Sequence, residues 1–412
     1  MPVTSPGLKG IVAATTRLSD VLGEEGVLIY AGYDINELAG KVSYEEVIHL
    51  LWHERLPNKG ELAQLKADLK AARTLPPPVI EYLKNAPKTA NVMDILRTGV
   101  SMLSLYDNAP VGPQTPDQLL PRAISITAKV SVIIAYFHRA RQGKPLPPIR
   151  TDLDEAAHFL YLINGETPGP EAVKTLDMAY VLHADHGFNA STFSALVTAS
   201  TLSDIYSAVT TAIGSLKGPL HGGANEAVIH MLEEIGFPDK VDAWVYQKFA
   251  NREKIMGMGH AVYKVLDPRA PHLKAMAEKL TRELGETKWV EMSDRIAEIV
   301  KKEKNLNANV DFYSATVYYS LGIPTDLFTP IFAIARTSGW TGHIIEQLRD
   351  NKIFRPSSEY AGYPVGKKVV PLGQRGLPRK SDGYATAPRW ARLFCRRGSR
   401  RTRCWDGKSC CP

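Results

Sequence analysis

Four short stretches of this chain hold residue types that move protons or bind anions, and they follow one another at distinctive spacings. His183-Ala-Asp-His186 stands at a helix end. His221 lies between Pro219-Leu220 and Gly222-Gly223 in the run LKGPLHGGANEAV. Met256-Gly-Met-Gly-His260 opens a glycine-flanked loop that continues to Lys264 and Asp-Pro-Arg269. Asn309-Val-Asp311-Phe sets a carboxylate at a helix start among apolar neighbours. The glycines beside His221 allow a sharp turn and the close approach of a ligand. The helix that begins with ANEAV would aim its free N–H groups and positive end back at the imidazole. A histidine held there resists protonation, and a neutral imidazole can donate a hydrogen bond to a carbonyl in enolising chemistry.

Each stretch taken singly has a plainer reading. Asp311 can cap its helix. His183 and His186, three apart, could ligate a metal, but no third carboxylate or cysteine stands at metal spacing, so no metal site is expected. Gly257-Met-Gly259 lacks the third glycine and the preceding strand of a dinucleotide fingerprint, which argues against NAD. Asn189-Ala-Ser191 fits a glycosylation acceptor but follows no secretory signal. His49, His53, His138, His158, His230 and His343 read as core or surface histidines, and Lys367-Lys368 as a solvated turn.

The elements that must hold these stretches are almost all helices. Glycines 23, 26 and 32 around VLIYAGYDI predict a small β-hairpin or an extended arm. From Ser43 the pattern turns helical, with a capping box at Ser43-Tyr-Glu-Glu46. Apolar periodicity then predicts helices over 61–69, 91–105, 116–141, 153–164, 170–184, 204–217, 224–235, 241–252, 272–284 and 289–302. Three more follow at 311–321, 330–335 and 340–348, and Pro76-Pro77-Pro78 reads as a break. The fold class is all-α.

Composition bounds the function. The net charge of +7 is misleading, because the last 38 residues carry eleven Lys and Arg against two Asp and leave the preceding 374 residues at −2. A near-neutral body gives no reason to expect nucleic acid as a partner. All four cysteines lie in the last 18 residues, and a cysteine-free body suits a reducing cytoplasm. MPVTSPGLKG lacks the features of a signal peptide. The most apolar run, 124–137, holds Lys129 and reads as too short to span a bilayer, so no membrane association is expected. The segment 376–412 breaks the apolar periodicity and reads as an appended basic, Cys-rich tail, disordered in composition. An altered reading frame would produce such an ending; a nucleic-acid-binding tail is the alternative.

Together the stretches resemble the citrate synthase family in its short prokaryotic form. LKGPLHGGANEAV, GMGHAVYKVLDPRA and NVDFYSATVYYSLGIP carry the resemblance, supported by LHADHGFNAST and FAIARTSGWTGHIIEQ, and it spans about residues 7 to 374. It implies two helical domains, a large one of residues 1–221 and 323–375 and a small one of 222–322, with the site in the cleft between them. It implies condensation of acetyl-CoA with oxaloacetate and water, giving citrate and free CoA. Asp311 would be the base, His221 the donor to the thioester oxygen, and His260 the acid on the oxaloacetate ketone. His186, Arg269 and Arg336 would bind oxaloacetate, with Arg355 lent across a homodimer interface. Ile255, Met256, Gly257, Met258 and Gly259 would receive the coenzyme, and Lys264 a phosphate; relatives often have arginine where this chain has Ala261. No cofactor beyond the substrates is implied. A 2-methylcitrate synthase acting on propionyl-CoA is the nearest alternative.

Overall fold

The computed structural model describes residues 5–8, 10–107, 114–367, 369, 371 and 372. The tail 376–412, the end of the predicted large domain (373–375) and Lys368 lie outside the described residues. Residues Ser5–Pro356 form one compact unit. In the other unit, residues 357–367 are exposed and carry neither helix nor strand, and the Lys367 ammonium sits over the Tyr363 ring.

The unit is organised around the helix Phe328–Arg349, which is buried without interruption from Phe328 to Ile345. A helix buried on every side has no solvent face and must lie inside others. The helices Tyr44–His53, Pro116–Arg141, Pro170–His183, Ala190–Ser200 and Ile205–Leu216 pack against it. A second group, Ala224–Ile235, Val241–Ala250, Ala270–Leu284, Lys288–Lys304 and Val310–Ser320, packs mainly on itself. The predicted hairpin is present as antiparallel strands Ser19–Leu22 and Val27–Tyr30, in register Ser19↔Tyr30 and Leu22↔Val27, with Tyr33–Asp34 added at the edge of the second.

The architecture is the expected all-α one, and the capping box at Ser43 and Glu46 is formed. Four local readings need correction. The prolines at 76–78 start a helix, Pro77–Asn85, because the missing N–H of proline costs nothing in a first turn. The helix Ala190–Ser200 went unread, since its Ser, Thr and Val content hides its period; Asn189 caps it by accepting the N–H groups of Ser191 and Thr192. The break expected between 335 and 340 is absent. There Gly339 serves contact rather than a turn: a Cβ on it would stand 2.4 Å from the Ala184 carbonyl oxygen. Finally, the whole helix Pro116–Arg141 is long and apolar enough to cross a bilayer, but 67% of its apolar window is buried inside the protein, as a core helix is.

Candidate active site

His221 sits in a turn tied down on both sides. The Gly222 N–H bonds the Leu216 carbonyl at 3.0 Å, and Thr329 Oγ1 donates to the Gly222 carbonyl at 3.1 Å. The imidazole Nε2 receives the Ser191 backbone N–H at 3.3 Å and lies 2.8 Å from Ser191 Oγ, which also accepts from Trp340 Nε1. With Nε2 accepting, the proton of the neutral ring belongs on Nδ1. Burial, then the positive charge of Arg336, depresses the His221 pKa to about 4. The ring is therefore neutral, as the sequence predicted, although the weight placed there on the helix end falls on burial and Arg336.

His260 is set by its own loop. The N–H groups of Val262 and Tyr263 both point at Nδ1, each at 3.0 Å, which leaves Nε2 to carry the proton. Burial and Arg269 hold its pKa at about 4. The strand-like segment before it is pinned to the segment before Asp311: Gly259 N–H bonds the Asn307 carbonyl at 2.7 Å, and Asn309 N–H bonds that of Gly257 at 3.0 Å. Asn309, not Asp311, caps the helix Val310–Ser320. Asp311 is thus released from capping. It is buried, its Oδ1 has no partner, and burial lifts its pKa from 3.8 to about 7.

His186 lies buried, its ring 5.3 Å from that of His260 and its Nε2 3.2 Å from the Tyr263 hydroxyl. Its neighbour Asp185 is held by three elements. Tyr30 exchanges hydrogen bonds with the Asp185 backbone N–H and carbonyl, while Ser19 Oγ and His343 Nε2 bond Oδ2. His343, read as a bland histidine, forms a fully buried ion pair with Asp185 that raises its pKa to about 9. His183 turns the other way, its Nδ1 on the Ala179 carbonyl at 2.8 Å, so the pair His183/His186 does not converge.

Two guanidinium groups complete the site. Arg269 is 2% exposed and forks onto Asp267 through Nε and Nη2, at 2.9 and 2.7 Å. Asp267 also accepts the Val310 N–H, so one carboxylate fixes both the arginine and the start of the Asp311 helix. Arg336 is 1% exposed and lies over the Phe332 ring at 4.7 Å. Its Nε donates to the His183 carbonyl, but no carboxylate pairs with it and Nη1 has no partner. Burial lowers its pKa to about 10. A buried cation without a counter-charge is costly unless an anion completes it.

His186, His221, His260, Arg269, Asp311 and Arg336 all line one cavity of about 640 Å³. That size suits a small-molecule site. Among the expected coenzyme residues, Gly259 lines the cavity; Ile255, Met256, Gly257, Met258 and Lys264 do not, and Lys264 is exposed. Ala261 is at its rim. Arg355 is exposed and outside it, its Nη1 bonded only to the Pro356 carbonyl.

The family model described as "citrate synthase, C-terminal domain" matches residues 7–357. The chain belongs to the citrate synthase family. It is 50% identical over 371 residues to citrate synthase 2 of Bacillus subtilis, covering 90% of this chain and 98% of that one. It is 41% identical to 2-methylcitrate synthase of Shewanella oneidensis, covering 90% and 98%. The citrate synthase of the archaeon Thermoplasma acidophilum, solved as a ternary complex with carboxymethyl coenzyme A and oxaloacetate, superposes with a TM-score of 0.85 at 32% identity, covering 90% of this chain and all of that one.

Within this family frame the sequence missed the supporting residues: Ser191, Asp267, Tyr263, Phe332 and the Asp185–His343 pair. Asp267 had a visible signal, two residues before Arg269. Ser191 had none, because its contacts with His221, through both N–H and Oγ, join residues 30 apart in the chain.

Proposed function

We propose that this enzyme condenses acetyl-CoA with oxaloacetate and water to give citrate and CoA. The observation that carries the reading is the convergence of two neutral imidazoles, one buried carboxylate with a free oxygen, and two buried arginines on one cavity. Oxaloacetate supplies two carboxylates, and guanidinium groups match them bidentately. Arg336, with an unpartnered Nη1, is completed by one of them; Arg269 and His186 address the rest.

Asp311 then takes a proton from the methyl carbon beside the thioester. The Nδ1–H of His221 donates to the thioester oxygen as enol character develops, since a base alone cannot ionise so weak a carbon acid. The enol carbon attacks the keto carbon of oxaloacetate, and the Nε2–H of His260 passes its proton to the new alkoxide. Water cleaves the resulting thioester and frees CoA. The coenzyme would lie along residues 255–259, with Lys264 near a phosphate.

The separate packing of the helices between Ala224 and Ser320 supports a small domain of 222–322 on a large one of 1–221 and 323–375. Oxaloacetate binding first would close the small domain and keep water from the thioester. A homodimer in which Arg355 serves the neighbouring site, in the cytoplasm, completes the reading.

A second reading, 2-methylcitrate synthase, is favoured by the 41% identity to a protein of that name. One methylene changes binding by only about 1–3 kcal/mol. Release of CoA thiol, followed with oxaloacetate and either acetyl-CoA or propionyl-CoA, tests both. A higher kcat/KM for acetyl-CoA selects the first reading, a higher one for propionyl-CoA the second, and no release from either removes both.

A further inference from the structure

The turn that joins strands Ser19–Leu22 and Val27–Tyr30 lies directly against the segment that follows His260. The contact is backbone to backbone: the Lys264 N–H donates to the Gly23 carbonyl at 2.9 Å. A Cβ on Gly23 would stand 2.5 Å from the Val262 carbonyl oxygen, closer than any real Cβ comes to an oxygen. Gly26 meets the next residues, where a Cβ would lie 2.6 Å from Val265 Cγ2 and 3.2 Å from the Leu266 carbonyl oxygen. Gly32, just beyond the second strand, has φ +90° and nothing within 4 Å of such a Cβ. Glycine at 23 is thus required by contact and not by its own dihedral angle, which is outside the left-handed region.

The docked segment is the one that decides where the His260 proton resides. Val262 and Tyr263 contribute the two N–H groups on Nδ1. Tyr263 also reaches His186, with ring centroids 5.5 Å apart, and its own ring lies 4.7 Å from that of His260. A shift of a few tenths of an ångström at Val262 would therefore reach both imidazoles. Val262 and Val265 are 42% and 41% exposed, so beyond the hairpin the segment is held mainly by Tyr263, which is 4% exposed.

We infer that the Gly23–Gly26 turn is a positioning element of the site: it fixes the backbone of residues 262–264 and through it presents His260 as an Nε2–H donor. The inference rests on the reading of His260 as the acid on the keto group. It assigns a function to the turn of a hairpin whose first strand lines the cavity through Ser19, Asp20 and Val21.

The test is Gly23→Ala, with Gly32→Ala as the control for strain in the same small sheet. Amide hydrogen exchange at residues 262–264 should accelerate about tenfold or more in Gly23→Ala, because the Lys264 bond is lost. The KM for oxaloacetate should rise and kcat fall, each by about tenfold, since misplacement near 1 Å costs up to about 10²-fold. The KM for acetyl-CoA should rise less than that for oxaloacetate, because His221 and Asp311 keep their supports and only Lys264, near a coenzyme phosphate, is in the freed segment. Gly32→Ala should change none of these. If Gly23→Ala does not fold, Gly26→Ala alone and with Val265→Ala reads the same contact. There the second substitution should restore part of the oxaloacetate KM, the backbone strain at 26 being common to both.

Unchanged exchange in Gly23→Ala, or faster exchange with unchanged oxaloacetate kinetics, overturns the inference. So does an absence of rescue by Val265→Ala. Full activity in His260→Asn instead overturns the underlying reading of the site, while the exchange result still reports whether the turn docks the loop.

Discussion

Asp311 and Arg336 each keep a buried polar atom without a partner, and both line the same cavity. Such vacancies cost stability, and in a cavity they mark where a ligand belongs. Burial raises the Asp311 pKa from 3.8 to about 7. Between those values the folded protein holds a proton that the unfolded chain has released, so stability falls as pH rises from about 4 to about 7 and the deficit persists above. Asp311→Asn removes the deficit. Its thermal midpoint should exceed that of the parent at pH 8 and match it near pH 4, while kcat falls by about 10²–10⁴-fold. Retention of full kcat would remove Asp311 as the base. In the parent enzyme, kcat/KM for the acyl-CoA should fall about tenfold per pH unit below about 7, as the carboxylate is protonated.

Elements hold these residues by contacts that local pattern reading does not see. The helices bearing His183 and Asp311, and the one that follows the His221 turn, were legible, because apolar period and cap residues are local properties. The helix Ala190–Ser200 was not, and it carries the N–H that sets the His221 tautomer. Gly339 lies between the two helices predicted at 330–335 and 340–348, yet it lets one continuous central helix approach Ala184 and Asp185. Gly339→Ala should destabilise the protein by about 1–3 kcal/mol through overpacking, measured as a lower urea midpoint. It should also raise the oxaloacetate KM, because the displaced residue is next to His186. His343 shows the same limit: nothing near it in sequence announces Asp185. Removing one partner of a buried ion pair costs about 3–5 kcal/mol, so His343→Gln should lower the midpoint by that amount, with partial recovery in Asp185→Asn/His343→Gln. A histidine raised to about 9 contributes its stability fully below pH 6.5 and loses it as pH rises through about 9. The difference between parent and His343→Gln should therefore shrink from about pH 6.5 upward and be gone above about 9. A constant difference from pH 6 to 10 would mean that the pair is not charged.

At the scale of the whole molecule, the cavity of the single chain holds every expected oxaloacetate residue except Arg355. Two buried arginines with His186 can grip the diacid, but Arg269 already shares its charge with Asp267. A third guanidinium from outside would restore the balance against two carboxylates, and Arg355 is exposed with only a carbonyl as partner. If it serves the neighbouring subunit, each site combines Asp311 from one chain with Arg355 from the other. Arg355→Ala should then lower kcat/KM for oxaloacetate by about 10²-fold, the loss of a charge-assisted pair worth about 2–3 kcal/mol. The decisive measurement mixes subunits. On this reading Arg355→Ala and Asp311→Asn homodimers would each be nearly inactive, but a hybrid dimer would have one site with both residues intact. Unfolding and refolding an equal mixture makes about half the dimers hybrid, so activity should return to about a quarter of the parent value. No recovery, with hybrids demonstrated by mass, would place Arg355 in its own subunit's site or in none.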